Sequence, residues 1–272
     1  MKQPLFSVLI ANYNNGKYIA DCLDSIMKQS YQNFEIVIVD DASPDNSAER
    51  IDAYIHRDSR ISVYHNEVNR GTGYTKKRCI DLSRGEICGF VDPDDILHPD
   101  ALQVMVESHQ KNQTHAGIYC THYVCDEHLN ILDIGSAIYQ QPEGVPVYKD
   151  PHVSQFFTFK KRLYDKTIGL NPSYKRAVDR DLYTLMDEVG PLLFIDPVLY
   201  YYRHNPNSIS LNANKFKAQY WDLIVRHNAA MRRGESLEDH YAKSIDLYDT
   251  VLQRMTLKET IYLLLQKLKL VR

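Results

Sequence analysis

Three carboxylates fall within four residues at Asp92-Pro93-Asp94-Asp95, directly after the apolar run Ile87–Val91. Crowded carboxylates repel one another, and burying them is costly unless a cation or hydrogen-bond donors compensate. A hard divalent ion such as Mg2+ or Mn2+ takes oxygen ligands, usually one or two carboxylates plus substrate phosphate oxygens. An Asp-x-Asp at a strand end meets that need. The same tetrapeptide also makes a turn, and Asp95 or Asp100 can cap a helix; alone it does not choose between the two. A second acidic doublet, Asp40-Asp41, closes the run Phe34–Val39. A fixed carboxylate there suits the N–H edge of a uracil ring, or equally the start of the next helix. Asn69-Arg70-Gly71-Thr72-Gly73 leads into Lys76-Lys77-Arg78. Glycines let a backbone approach a ligand, and cations at a helix start favour phosphate. The spacing matches neither the dinucleotide fingerprint nor the P-loop, and a solvated basic helix face explains the cations as well. Lastly, Asp179-Arg180-Asp181 offers a carboxylate that could serve as general base on a hydroxyl, or simply cap a helix.

These residues need strand ends to hold them. Ser7–Ala11, Phe34–Val39, Ile61–Tyr64 and Ile87–Val91 read as strands. Helical spacing at Tyr18, Ile19, Cys22, Leu23, Ile26 and Met27, and helices over 47–55 and from the Gly71–Gly73 loop to Leu82, alternate with them. Such alternation predicts a parallel sheet covered on both faces, with ligands at the carboxyl ends of the strands. Both acidic doublets sit there. Beyond Gln110 the pattern loosens: Gly117–Val124 reads as one strand, 131–150 as an irregular loop or hairpin, Asp179–Val189 as a helix, Leu193–Ile195 as a strand, and Phe216–Arg272 as helical.

Composition bounds the partners. The chain is 44% hydrophobic and 25% charged with a formal net charge of −3, so no global basic field points to nucleic acid. Five cysteines without paired spacing favour reduced thiols, and Val8–Ala11 is too short for a signal peptide, so a cytoplasmic location is expected. No run reaches the length needed to cross a bilayer. The cluster His115, Cys120, His122, Cys125 and His128 fits no standard zinc spacing and is explained by alternation along a strand.

Taken together, Ser7–Asn14, Ile38–Ser43, Asn69-Arg70-Gly71, Gly85-Glu86 and Phe90–Asp95 resemble the family 2 glycosyltransferases of GT-A fold. The likeness resumes at Ala177–Leu182, Phe194–Asp196, Tyr202-Arg203 and Ser208-Ile209-Ser210. It implies an α/β GT-A domain over 1–211 (a nucleotide-sugar half, 1–110, and an acceptor half, 111–211) with a helical extension, 212–272. The donor, a UDP-sugar first, would meet Ala11, Tyr13, Asp41, Arg70, Lys76 and Asp92, with Asp41 accepting from uracil N3–H. Asp94 and Asp92 would hold Mn2+ or Mg2+, Asp95 would be structural, and Asp179 would be the base of an inverting displacement onto a glycan or glycolipid hydroxyl. The setting implied is cell-surface polysaccharide synthesis. Three departures stand out: Val178 replaces the family's Glu before the base, Lys76-Lys77 replaces Arg-Asn, and Asn205 replaces a ligand His, leaving His204 one place earlier as the substitute. Tyr164 and Tyr200–Tyr202 could stack on sugar rings.

The tail, 212–272, is mildly basic against an acidic body. Leu257, Ile261, Leu264, Leu268 and Val271 share one helical face, which suits packing, a homodimer, or peripheral contact with the inner face of the plasma membrane. Two other functions compete: a nucleotidyltransferase of related fold, which lacks its expected glycine-rich loop after the first strand, and a non-catalytic nucleotide-sugar-binding protein, suggested by Val178 and Asn205.

Overall fold

In the computed structural model, which describes residues 3–136, 138–204 and 215–235, the apolar runs Val8–Ala11 and Ile36–Val39 become adjacent parallel strands. They are β1 (Phe6–Asn12) and β2 (Phe34–Asp40), in register with Val8 opposite Ile36. Between them α1 (Ile19–Met27) buries Ile19, Cys22, Leu23 and Ile26, the stripe that helical spacing dictates. The alternation continues through α2 (Ser47–Ile55), β3 (Ile61–His65), α3 (Thr72–Leu82) and β4 (Ile87–Phe90), as expected. Then follow β5 (Ile96–Leu97), α4 (Ala101–Lys111), β6 (Gly117–Tyr119), β7 (His122–Cys125) and β8 (Ile131–Ile134). The chain goes on through β9 (Phe157–Lys160), α5 (Lys161–Tyr164), α6 (Val178–Val189), β10 (Leu192–Phe194), β11 (Tyr200–Arg203) and α7 (Lys215–Arg232).

A seven-stranded sheet runs β10-β6-β9-β4-β1-β2-β3, and a four-stranded one runs β5-β11-β7-β8. Alternate side chains of the large sheet feed two cores. Phe6, Val8, Ile10, Ile36 and Ile38 pack with α1 and α4 on one face. Leu9, Val37 and Val39 pack with Cys79 and Ile80 of α3 and Val178, Leu182 and Leu185 of α6 on the other.

Two expectations need correction. The single strand read over 117–124 is two strands in different sheets, because the chain leaves the large sheet at Cys120-Thr121 and re-enters in the small one. In addition, β9 lies antiparallel between β4 and β6, where the sequence showed no strand. Its four residues are too few to show a period, although Phe157 and Phe159 point to one core while Thr158 meets His109 of α4 on the other side.

Compactness divides the chain into 1–225 and 226–272, so the division falls inside α7. Asn205, Ser208–Ser210 and the apolar face Leu257–Val271 lie outside the described residues.

The start of α3 depends on two glycines. Gly71 adopts φ 86°, which an L side chain resists, and its N–H donates to Asp41 Oδ2 at 2.8 Å. Gly73 lies so close to the 171–174 loop that a Cβ would stand 2.5 Å from the Tyr174 carbonyl oxygen. Gly73→Ala must therefore push α3 away from backbone and is expected to cost about 1–3 kcal/mol, read as a lowered midpoint in chemical denaturation.

Candidate functional site

The carboxyl ends of β1 and β4, the start of α6 and the first turns of α7 enclose a cleft of about 940 Å3. Ala11, Tyr13 and Thr72 line one part, Asp92, Pro93 and Asp94 another, and Arg176, Asp179, Arg180, Tyr183, Gln219 and Asp222 a third. Five of the candidate residues, Ala11, Tyr13, Lys76, Asp92 and Asp94, thus share one space with Asp179.

Asp92-Pro93-Asp94-Asp95 is both turn and site. The Asp95 N–H closes the turn on the Asp92 carbonyl at 3.0 Å. Asp95 is buried and accepts from Tyr200 Oη and the Arg203 N–H, each at 2.7 Å. Burial first, and then the carboxylates of Asp94 and Asp92, push its carboxyl well above the usual range. It is therefore the structural member, as expected, and Asp92 and Asp94 are left facing the cleft.

Arg203, at the end of β11, fixes this turn. Its Nε donates to the Asp94 carbonyl at 2.7 Å, Nη1 to the Glu127 carbonyl at 2.7 Å and Nη2 to Asp21 at 2.8 Å, with the guanidinium over the Tyr18 ring. Nothing in its sequence position showed this beyond a cation at the end of an aromatic strand. Arg203→Met leaves those acceptors without their fork, and about 3 kcal/mol of stability should be lost. Arg203→Lys, which keeps the charge without the planar geometry, should recover part of it. Denaturant unfolding of both variants checks this.

Lys76, nearly fully buried, joins the two halves. Its Nζ lies 3.2 Å from Asp92 Oδ1 and 2.5 Å from Asp179 Oδ1, and 4.9 Å from the Phe90 ring centre. Burial alone would lower its pKa; the charges of Asp179 and Asp92 more than reverse this and hold it above the ordinary lysine range, so it is an ammonium at neutral pH. Gln155, absent from the sequence reading, donates to Asp92 Oδ2 at 3.3 Å. Across the mouth, Glu127 accepts from Lys17 and Tyr18, another pair without a local sequence signal.

Other candidates sit elsewhere. Asp41 is buried, accepts from Asn66 Nδ2 at 2.6 Å and from the N–H groups of Arg70 and Gly71 at 2.8 Å each, and does not line the cleft. Its doublet partner Asp40 is likewise taken up by Asn12 and Ser43. The Arg70 guanidinium lies over the Tyr74 ring, outside the lining. His204 is exposed and is not brought to Asp92 or Asp94 in the lining, because β11 runs beside β7 and ties its N–H to the Cys125 carbonyl. Val178 is buried among the core side chains of α6. Cys120 and Cys125 are buried, and His122 faces the cleft beside Tyr202. Among the described residues no three His, Cys, Asp or Glu form a metal cage. Asp92 and Asp94, two residues apart on the cleft wall, nevertheless fit a hard cation that brings phosphate oxygens with it.

The largely parallel sheet, with its cleft at the strand ends, has the GT-A fold. The model described as Glycosyl transferase family 2 matches residues 7–183, and the chain belongs to that family. It is 31% identical over 199 residues to the chondroitin synthase of Escherichia coli, covering 72% of this chain but 28% of that protein's length. Staphylococcus aureus TarS 1–349, solved with UDP-GlcNAc, superposes with a TM-score of 0.63 at 18% identity, over 83% of this chain and 66% of that one. The mannosyltransferase PcManGT of Pyrobaculum calidifontis, solved with GDP-Man and Mn2+, gives 0.64 at 15% identity, over 100% of this chain and 82% of that one. The family match stops at Tyr183, so Arg203 and the α7 wall of the cleft lie beyond it. Among the described residues no helix is long and apolar enough to cross a membrane.

Proposed function

We propose that this protein transfers a sugar, with inversion, from a nucleotide diphosphate, a UDP-sugar first among them, to a hydroxyl of a glycan or glycolipid acceptor in polysaccharide synthesis. The observation that supports this most is the convergence of Asp92, Asp94, Lys76 and Asp179 on one cleft at the strand ends. In this reading Ala11 and Tyr13 border the nucleobase. Asp41 contributes by holding the Arg70–Gly71 backbone through its two N–H bonds. Asp94, with Asp92, would hold Mn2+ or Mg2+, which when bound offsets charge on the leaving diphosphate. Asp179 accepts the proton of the acceptor hydroxyl as that oxygen bonds to the anomeric carbon. Arg176, Arg180, Tyr183, Tyr202 and the start of α7 form the acceptor side.

A thermal-shift screen of UDP-, GDP- and dTDP-sugars with and without Mn2+ tests donor and metal together. Stabilisation by one sugar nucleotide that depends on the cation supports the reading. The reaction product then separates it from its rivals: a nucleoside diphosphate is expected, pyrophosphate would mark a nucleotidyltransferase, and binding without turnover over a broad acceptor panel a non-catalytic protein.

A further inference from the structure

Two guanidiniums stand on the wall assigned to the acceptor. Arg176, in the loop before α6, and Arg180, in its first turn, flank Asp179 in sequence, and all three line the cleft. Arg180 is held from outside its helix: Nε donates to Asp222 Oδ1 of α7 at 3.0 Å. Its Nη1 is buried and donates to no acceptor among the described residues. A guanidinium carries five N–H donors in one plane, a fork that matches a carboxylate or a phosphate. The bond to Asp222 leaves most of that fork unused. Charge points the same way. Asp179 has Lys76 at 2.5 Å and Asp222 has Arg180, so each carboxylate of this wall already meets a cation, and Arg176 adds a third positive charge. Burial weighs against the charge of the half-buried Arg176, a cost that an anion beside it offsets.

We propose that the acceptor saccharide bears an acidic group, a carboxylate or a phosphate, close to the hydroxyl that is glycosylated, and that Arg176 and Arg180 receive it. The proposal rests on the reading that this wall takes the acceptor, and it narrows that reading to an acidic saccharide. A neutral glycan would be served by hydroxyl partners such as Gln219, on the same wall. Guanidiniums add charge-assisted bonds, which are shorter and stronger than neutral ones and fix the orientation of a planar acid. The acid would also lie near Asp179 and Asp222, and those carboxylates repel it unless both guanidiniums take part. Asp222 comes from α7, beyond the residues that the family model matches, so the anchor of Arg180 lies in a part of the chain outside the family match.

Methyl β-glucuronide is the carboxylate probe, glucose 1-phosphate the phosphate probe, and methyl β-glucoside their neutral counterpart. Each is titrated by saturation-transfer NMR at constant ionic strength and neutral pH, with UDP and Mg2+ filling the donor side so that no acid enters there. The wild type should bind at least one acid about tenfold more tightly than the glucoside, the weight of one bond to a charged group. The acid that gains identifies the source: the glucuronide a uronic acid, the phosphate a phosphorylated saccharide. Arg176→Gln and Arg180→Gln should each reduce the preference, and Arg180→Lys, which keeps the charge without the fork, should retain part of it. Glucoside and acids binding alike, or none of them binding, overturns the proposal, as does a preference left unchanged in the Gln variants. Arg180→Lys keeps the assignment testable where a Gln variant does not fold. The UDP signals of the same samples report on the donor side. Failure of UDP to bind removes the nucleotide-sugar reading, whereas UDP binding without any preference for an acid removes this proposal alone.

Discussion

Asp179→Asn is expected to lower sugar transfer by roughly 10²–10⁴-fold, the usual worth of a positioned general base, while nucleotide-sugar affinity stays within a few-fold of wild type. The substitution is nearly isosteric, and the amide oxygen can still accept from Lys76 Nζ, which lies 2.5 Å from the native carboxylate. Lys76 also keeps Asp92 as a counter-charge, so the buried ammonium is not left alone. Loss of activity should therefore appear in turnover with the fold intact. Nucleoside-diphosphate release measures turnover and calorimetry measures affinity; transfer at the wild-type rate would exclude Asp179 as base.

Asp94→Ala should have the second large effect, on the cation-dependent part of donor binding. The hydrogen bonds that close the turn run through its backbone and through Asp95. Arg203 holds the Asp94 carbonyl rather than its carboxylate, and Tyr200 and Arg203 hold Asp95. Alanine thus removes one of the two carboxylates proposed to hold the cation. The added stabilisation that Mn2+ gives to a bound sugar nucleotide should vanish, with affinity falling about tenfold or more, ~1.4 kcal/mol. Asp95→Ala makes the contrast: it removes a buried acceptor from Tyr200 and Arg203, so it should unfold the chain at lower denaturant. Equal metal dependence in wild type and Asp94→Ala would argue against a cation at this position.

Local pattern carried much of this protein. The apolar runs Val8–Ala11 and Ile36–Val39 required strands covered on both faces, and the spacing of Ile19, Cys22, Leu23 and Ile26 required a helix over them. Strand–helix alternation then placed the acidic doublets at the carboxyl ends, where ligands bind. That much is settled by side-chain period and turn chemistry, which act over a few residues. The same logic failed where elements are short or where the partner is distant. Four residues of β9 carry no readable period, yet they form the antiparallel centre between β4 and β6.

Which partners a carboxylate meets was decided by tertiary contacts alone. Asp94 and Asp95 are neighbours of one type, but Tyr200 and Arg203 from a strand more than a hundred residues later capture one and leave the other facing the cleft. Asp41, which in sequence matched a nucleobase acceptor, is drawn to Asn66 and the N–H groups of Arg70 and Gly71. Lys76 stood as one of three cations on a helix; folding sets it against Asp92, 16 positions away, and Asp179, 103 positions away. The sequence by itself determined the strands, their order of alternation and the residue types at their ends. Only the tertiary structure chose among those residues, because hydrogen-bond and ion-pair partners are distributed by how helices and strands pack, and that packing brings together parts of the chain whose separation no local pattern records.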